Sequence, residues 1–345
     1  MSMNRLTTLG MICAATLAFS VSAAMADEPE PQWLAFDDGS QQPSDGQTKS
    51  VTETQTTTEK PAEWEKPLPM SLTLQYVLVS DYIFRGINFS EYDREGRERL
   101  NHQMSTSLSL DLAALCGKPA GQCGEIGFDT WFGWFAGQKE INPTTGANIQ
   151  EVDYTVWYSY NVEKLATEVK VGWVDYVYPN VVGVSDNDRT NEWFFTLTHN
   201  DAWMWRSLGY TGEDGILNPT VCFYHDMHIN RGAWTDFCIN HPFEIVKNLT
   251  FTPSYMLHVD MGWSGALSRD SHGSDDHDTR VAGMTYGLDL TYDLTEALHL
   301  PPWAGTMAVS GFLNWFDPTS AFRHYGPTLG VQDELYGGMK LSWSW

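Results

Sequence analysis

Positive charge is scarce in this chain. Twenty Lys and Arg stand against 44 Asp and Glu, a formal net charge of −24. That balance excludes nucleic acid as a partner, because phosphate binding is built on clustered Lys and Arg. Long apolar runs are scarce too. Beyond residue 26 no stretch reaches the roughly 20 consecutive apolar residues of a membrane helix, so any membrane-spanning part must be a closed sheet. No Gly-x-Ser-x-Gly nucleophile motif occurs, and cysteine is limited to five positions.

What is abundant points the same way. Aromatics make up 13% of the chain, and its 15 Trp nearly equal its 16 Phe, a proportion suited to aromatic girdles at membrane interfaces. Residues 1–26 read as a signal peptide: Arg5 begins it, Leu9 to Val21 is its apolar core, and Ala24-Met25-Ala26 is a small-residue cleavage site. A transmembrane anchor fits less well, because the run is short. Its removal takes Cys13 and leaves four cysteines. Residues 27–69, rich in Thr, Gln, Glu and Pro, read as a disordered periplasmic tether. Trp33, Leu34 and Phe36 in it could form a docking motif or be stray aromatics.

From Met70 onward the pattern alternates with period 2, the spacing of a strand with two different faces. The final stretch is the clearest case. Leu335, Gly337, Met339, Leu341, Trp343 and Trp345 share one face, and Tyr336, Gly338, Lys340, Ser342 and Ser344 the other. Twelve such segments follow one another. In the first, Leu72, Leu74, Tyr76, Leu78, Tyr82 and Phe84 share the apolar face, with Val77, Val79 and Ile83 as exceptions. In the third, Trp131 falls on the polar side, and in the tenth Ala282 is placed with the apolar set. The fold class expected is an all-β, transmembrane, antiparallel up-and-down barrel of about twelve strands spanning 70–345, with long outer loops and short inner turns. One long inner connection, 201–216, fits that asymmetry poorly.

Ser80-Asp81-Tyr82-Ile83-Phe84-Arg85-Gly86 resembles the TorF-like porin family of Gram-negative outer membranes. Weaker similarities lie at Gly172-Trp-Val-Asp-Tyr176, Leu217-Asn-Pro219 and Leu249-Thr-Phe-Thr-Pro-Ser254. The resemblance implies an outer-membrane porin and brings no catalytic residues with it. The terminal aromatic strand likewise resembles the signal read by the barrel assembly machinery, which makes that machinery, outer-membrane lipid and small solutes the expected partners.

The polar faces carry the functional expectation. Assigned inward are Asp81, Asp111, Glu125, Asp129, Glu151, Asp153, Glu168, Glu192, Asp226, Asp236 and Asp289, against Arg85, Lys170 and Lys340. Rings of carboxylates select cations, so the expected function is passive diffusion of small cationic or neutral solutes through an acidic lumen. A plugged, non-conducting barrel is the alternative. Asp81 and Arg85, four residues apart on one strand, are expected to point inward and could form a salt bridge. Disulfides are expected at Cys116–Cys123, across a small turn, and at Cys222–Cys238, symmetric about Asn230. Ser271-His-Gly-Ser-Asp-Asp-His-Asp278 has metal-binding residue types but no recognisable ligand spacing, so no metal and no cofactor are expected. A lipid hydrolase is the rival class: His199 and His225 fall on outward faces, each without a Ser on its own strand.

Overall fold

The computed structural model describes residues 69–91, 100–119, 121–135, 151–179, 189–264, 279–325 and 331–345. The expectations for the signal peptide, nearly all of the tether and the 271–278 tract lie outside the described residues. The wall consists of β1 (Met70–Val79), β4 (Asn101–Asp111), β5 (Glu125–Phe135), β6 (Glu151–Val162), β7 (Thr167–Val177), β8 (Arg189–His199) and β9 (Thr220–Asp226). It continues through β10 (Ala233–Asn240), β11 (Phe243–Val246), β12 (Leu249–Met261), β13 (Thr279–Asp293), β14 (Thr306–Pro318) and β15 (Glu334–Ser344). Apart from β10 and β11, consecutive wall strands pair antiparallel, and β15 pairs back onto β1, closing the sheet. β10 and β11 both pair with β12, so they are one wall strand interrupted at His241-Pro242. Proline cannot donate to a ladder, which places the break there. The barrel therefore has twelve wall strands.

Alternation follows from closure. The outward set is apolar and exposed: Leu74, Tyr76, Met104, Phe128, Val156, Trp173, Tyr286, Leu288, Met339 and Leu341 all lie on the outer surface. The inward set is polar and buried, including Gln75, Gln103, Thr155, Lys170, Thr196, Asp289, Asn314 and Lys340. A closed wall that is apolar outside, with every strand hydrogen-bonded on both sides along most of its length, satisfies its backbone in hydrocarbon. This is an outer-membrane β-barrel. β15 shows how tightly it closes: Trp345 and Leu72 exchange both backbone hydrogen bonds, and the Trp343 and Trp345 indoles donate to the carbonyls of Ala304 and Trp303.

Three sequence expectations change. β1 ends at Val79, and residues 83–88 form a separate hairpin of β2 (Ile83–Phe84) and β3 (Ile87–Asn88). Tyr82 and Phe84 are buried at 3% and 5% exposure and do not face lipid. The apolar exceptions Val77 and Val79 keep the inward face and pack on Ile83, Phe312, Phe316 and Tyr336. Ala282 also turns inward, because the β12–β13 register skips a residue between His258/Gly283 and Val259/Val281; a bulge reverses parity on one side of itself.

No disulfide joins the cysteines among the described residues. In the β9–β10 hairpin Cys222 lies opposite Asp236 and Cys238 opposite Thr220. The pairing is centred one residue before Asn230, which leaves the two cysteines as diagonal neighbours, roughly 7 Å apart. Cys116, in the short helix α1 (Ala113–Cys116), and Cys123 are thiols within hydrogen-bonding reach, and that contact raises the Cys123 thiol above its usual range.

The long connection 200–219 is organised by one side chain. Asp201 accepts the backbone N–H groups of Ile216, Leu217 and Asn218 and the Trp205 indole N–H. This draws the connection against α2 (Ala202–Trp205) and leaves Trp203, Met204 and Leu208 on the surface.

Candidate functional site: a bolted aromatic constriction

The site lies in the lumen, at the end carrying the long connections. The turn of the β2–β3 hairpin is Arg85-Gly86, with φ of 48° and 76°. Two consecutive positive φ angles give a type I′ turn, which normally favours Asn or Gly at its first position. Arginine held there is strained by about 1–2 kcal/mol, so something must hold it. Its guanidinium donates to both Glu192 carboxylate oxygens, at 2.5 and 2.8 Å. It also lies 4.7 to 5.8 Å from the ring centroids of Trp263, Phe84, Tyr224 and Trp234. A bidentate charged pair enclosed by aromatic faces is among the stronger side-chain arrangements available.

Glu192 is the hub of the constriction. Besides Arg85 it accepts from the Tyr176 hydroxyl (3.1 Å) and the Trp263 indole (3.2 Å). It thereby ties together β2–β3, β7, β8 and the segment after β12. Sequence reading placed Glu192 inward but did not identify this role. Arg85 was expected on a continuous strand facing Asp81; it sits instead on a turn inside the barrel, and Asp81 accepts from Asn88 at 3.4 Å.

Aromatic rings complete the constriction. Tyr82, Phe84, Trp131, Trp157, Tyr176, Phe194, Tyr224, Trp234, Trp263 and Phe322 form one buried cluster. Phe322 comes from helix α3 (Ser320–Tyr325) and meets Trp234 at 6.0 Å. A Cβ at Gly86 would fall 2.6 Å from Phe316 and 2.9 Å from Phe322, so the hairpin turn abuts both rings. Trp131, an exception to alternation, is inward because it packs on Tyr82 at 5.5 Å.

The other expected lumen charges sort by position. Asp129, Glu151, Asp153, Lys170, Glu192 and Asp289 occupy inward positions on wall strands. Lys170 lies 4.3 Å from the Trp157 ring centroid and near Asp129, and Lys340 lies near Asp289. Glu168 is at the short-turn rim, with its side chain 44% exposed and 3.8 Å from Lys170. Asp111 accepts the N–H groups of Ala113 and Gly121 and shapes a turn. Asp226 accepts those of His228, Asn230 and Arg231 and the Thr190 hydroxyl. These two carboxylates fold loops. Asp236 holds the Trp234 indole and His258, whose other ring nitrogen meets Thr285 at 2.8 Å. One ion pair was missed: Arg280, from a stretch assigned to an outer loop, lies 3.2 Å from Asp260 at the end of a strand.

The histidines named for a hydrolase are engaged with other groups. His199 bonds the Thr167 hydroxyl and the Trp203 indole through its two ring nitrogens. His225 packs against Trp193 at 5.9 Å.

Solved structures with similar architecture include the NanC porin, with a TM-score of 0.39 at 11% identity over 79% of this chain and 98% of that one. An outer-membrane channel from Pseudomonas putida F1 gives 0.39 at 7% identity, over 83% and 99% of the two chains. Outer membrane phospholipase A from Escherichia coli gives 0.35 at 12% identity, over 79% and 92%. No family model matches the chain, and no curated protein matches it. Similarities this distant concern barrel architecture alone.

Proposed function

We propose that this barrel is a porin-like channel through which small cationic or neutral solutes diffuse, with the Arg85 hairpin as its constriction. The observation that carries the reading is the sign of the inward charge. Buried inward carboxylates outnumber buried inward bases, and a low-dielectric wall concentrates that field along the axis. The resemblance of residues 80–86 to TorF-like porins supports the same reading. Export by the 1–26 signal, a periplasmic 27–69 segment and assembly through the terminal strand complete the reading.

Planar-bilayer recording in a salt gradient tests it. Cation-preferring steps of small unit conductance are expected, enlarged by Arg85→Ala. Anion preference, or silence in both proteins, overturns the reading. One observation favours a second reading, a non-conducting barrel: the aromatic cluster fills the lumen around Arg85. Silence in both proteins, with folding intact, would support that alternative.

A further inference from the structure

Almost every inward carboxylate in the described residues has an identified partner. Glu192 is paired with Arg85 and Asp260 with Arg280, while Asp129 and Asp289, whose oxygens accept no hydrogen bond, have the cations Lys170 and Lys340 nearby. Asp226 and Asp236 are held by N–H, hydroxyl and imidazole groups. Glu151 and Asp153 differ in that no cation acts on either. They are adjacent inward positions of β6, at 5% and 1% exposure. Neither oxygen of Asp153 nor Oε1 of Glu151 has a hydrogen-bond partner. The other Glu151 oxygen accepts only the Tyr82 hydroxyl, at 2.9 Å. The charged groups acting on Asp153 are Glu151, Glu192 and Asp175, all acidic. Arg85 is committed to Glu192, and Arg189 pairs with Asp175.

Aromatic groups surround the pair. Asp153 lies opposite Trp131 on one neighbouring strand and Tyr176 on the other. Tyr82 stacks near Trp131, and Tyr178 packs against the same cluster. Two buried carboxylates without a cation are costly, and this surrounding supplies what an ammonium group needs: carboxylate acceptors beside ring faces. It suits a metal ion poorly. Ca²⁺ and Mg²⁺ take six or more oxygen ligands, and no group of three or more acidic, His or Cys side chains among the described residues could hold a metal ion.

We infer that Glu151 and Asp153, enclosed by Trp131, Tyr176, Tyr82 and Tyr178, form a binding subsite for organic cations bearing an ammonium group. The subsite takes the cation-permeable lumen proposed above as its setting and names the class of solute that rests there.

The test is saturation-transfer NMR on the full protein in zwitterionic detergent, with butylammonium as the probe and butanol as the uncharged control. Saturable transfer to butylammonium, and none to butanol, is expected. Asp153→Asn removes a charge without removing a hydrogen bond and is expected to weaken binding about thirtyfold. Asp289→Asn, which alters a carboxylate facing Lys340, is expected to leave binding unchanged. Equal transfer in wild type and Asp153→Asn, or equal transfer to butanol, overturns the inference. Glu151→Gln provides a second variant should Asp153→Asn fail to fold, with folding checked by heat-modifiable gel migration. The outcome separates from that of the channel reading: binding without conductance sinks the channel and spares the subsite, and conductance without binding does the reverse.

Discussion

The first and last wall strands pair with each other, yet they treat alternation differently. β15 keeps its two faces from Glu334 to Ser344, with Leu335, Met339 and Leu341 outward and Tyr336 and Lys340 buried. β1 keeps them only to Val79. The apolar period continues through Tyr82 and Phe84, but there the chain has left the wall, and the same spacing now serves a hairpin inside the lumen. Period 2 fixes where side chains point relative to their own backbone and says nothing about which surface that backbone lies on. A ring facing lipid and a ring facing other rings look identical in sequence.

The contrast can be tested by weakening each side in turn. The largest effect is expected from Glu192→Ala, which leaves the Arg85 charge buried and unpaired. Loss of about 3–5 kcal/mol is expected in urea unfolding from lipid vesicles; a loss below about 1 kcal/mol, the level of an exposed pair, would place the hairpin outside the folded lumen. Gly86→Ala comes next. It puts a Cβ at positive φ and against Phe316, and about 2 kcal/mol of destabilisation is expected by the same measurement. A neutral outcome would mean the turn is not seated on those rings. On the other strand, Trp343→Phe removes one indole hydrogen bond to Ala304, and about 1 kcal/mol is expected. An effect as large as that of Glu192→Ala would reverse the ranking of closure and constriction.

The smallest effect concerns pH. Partial burial works against ionisation of Asp201, but the Trp205 indole and the N–H groups of Leu217, Asn218 and Ile216 outweigh it and hold the carboxyl below the usual aspartate range. A depressed folded-state pKa stabilises the fold above the unfolded value of about 3.9, and that contribution is lost as pH falls through the folded value. In micelles, the Trp205 indole N–H resonance should titrate below pH 4. A midpoint above that would remove Asp201 as the organiser of the 200–219 connection.

The wall was legible in sequence because each strand reports its own faces locally. All twelve segments are present, and the inward positions of Asp129, Glu151, Asp153, Lys170, Glu192 and Asp289 follow from parity alone. What was not legible depends on distant pairing. Arg85 meets Glu192 across 107 residues, and nothing near either residue announces the other. Trp263 and Phe322 enter the lumen from connections that read as outer loops. The Cys222–Cys238 expectation failed because a one-residue change in the centre of a hairpin moves every partner by two. Two signals were available: the inward apolar exceptions Val77, Val79 and Trp131 marked places where the lumen is packed, and Arg85-Gly86 has the second residue of a tight hairpin.

The interruption at His241-Pro242 and the brevity of its neighbours set the shape of the lipid boundary. β9 has seven residues and β13 has fifteen, which at usual rise and tilt correspond to heights of roughly 18 and 39 Å. An outward apolar band in such barrels is roughly 25 Å tall, so on the β9 side the wall reaches that height only with its flanking residues, Leu217, Pro219 and Met227, whose backbones bond to Asn240, His199 and Asn191. Leu217 and Pro219 end the connection that exposes Trp203, Met204 and Leu208, residue types at home among headgroups. Along that arc the rim of the wall is therefore made by the end of a connection, with those three apolar side chains exposed beside it.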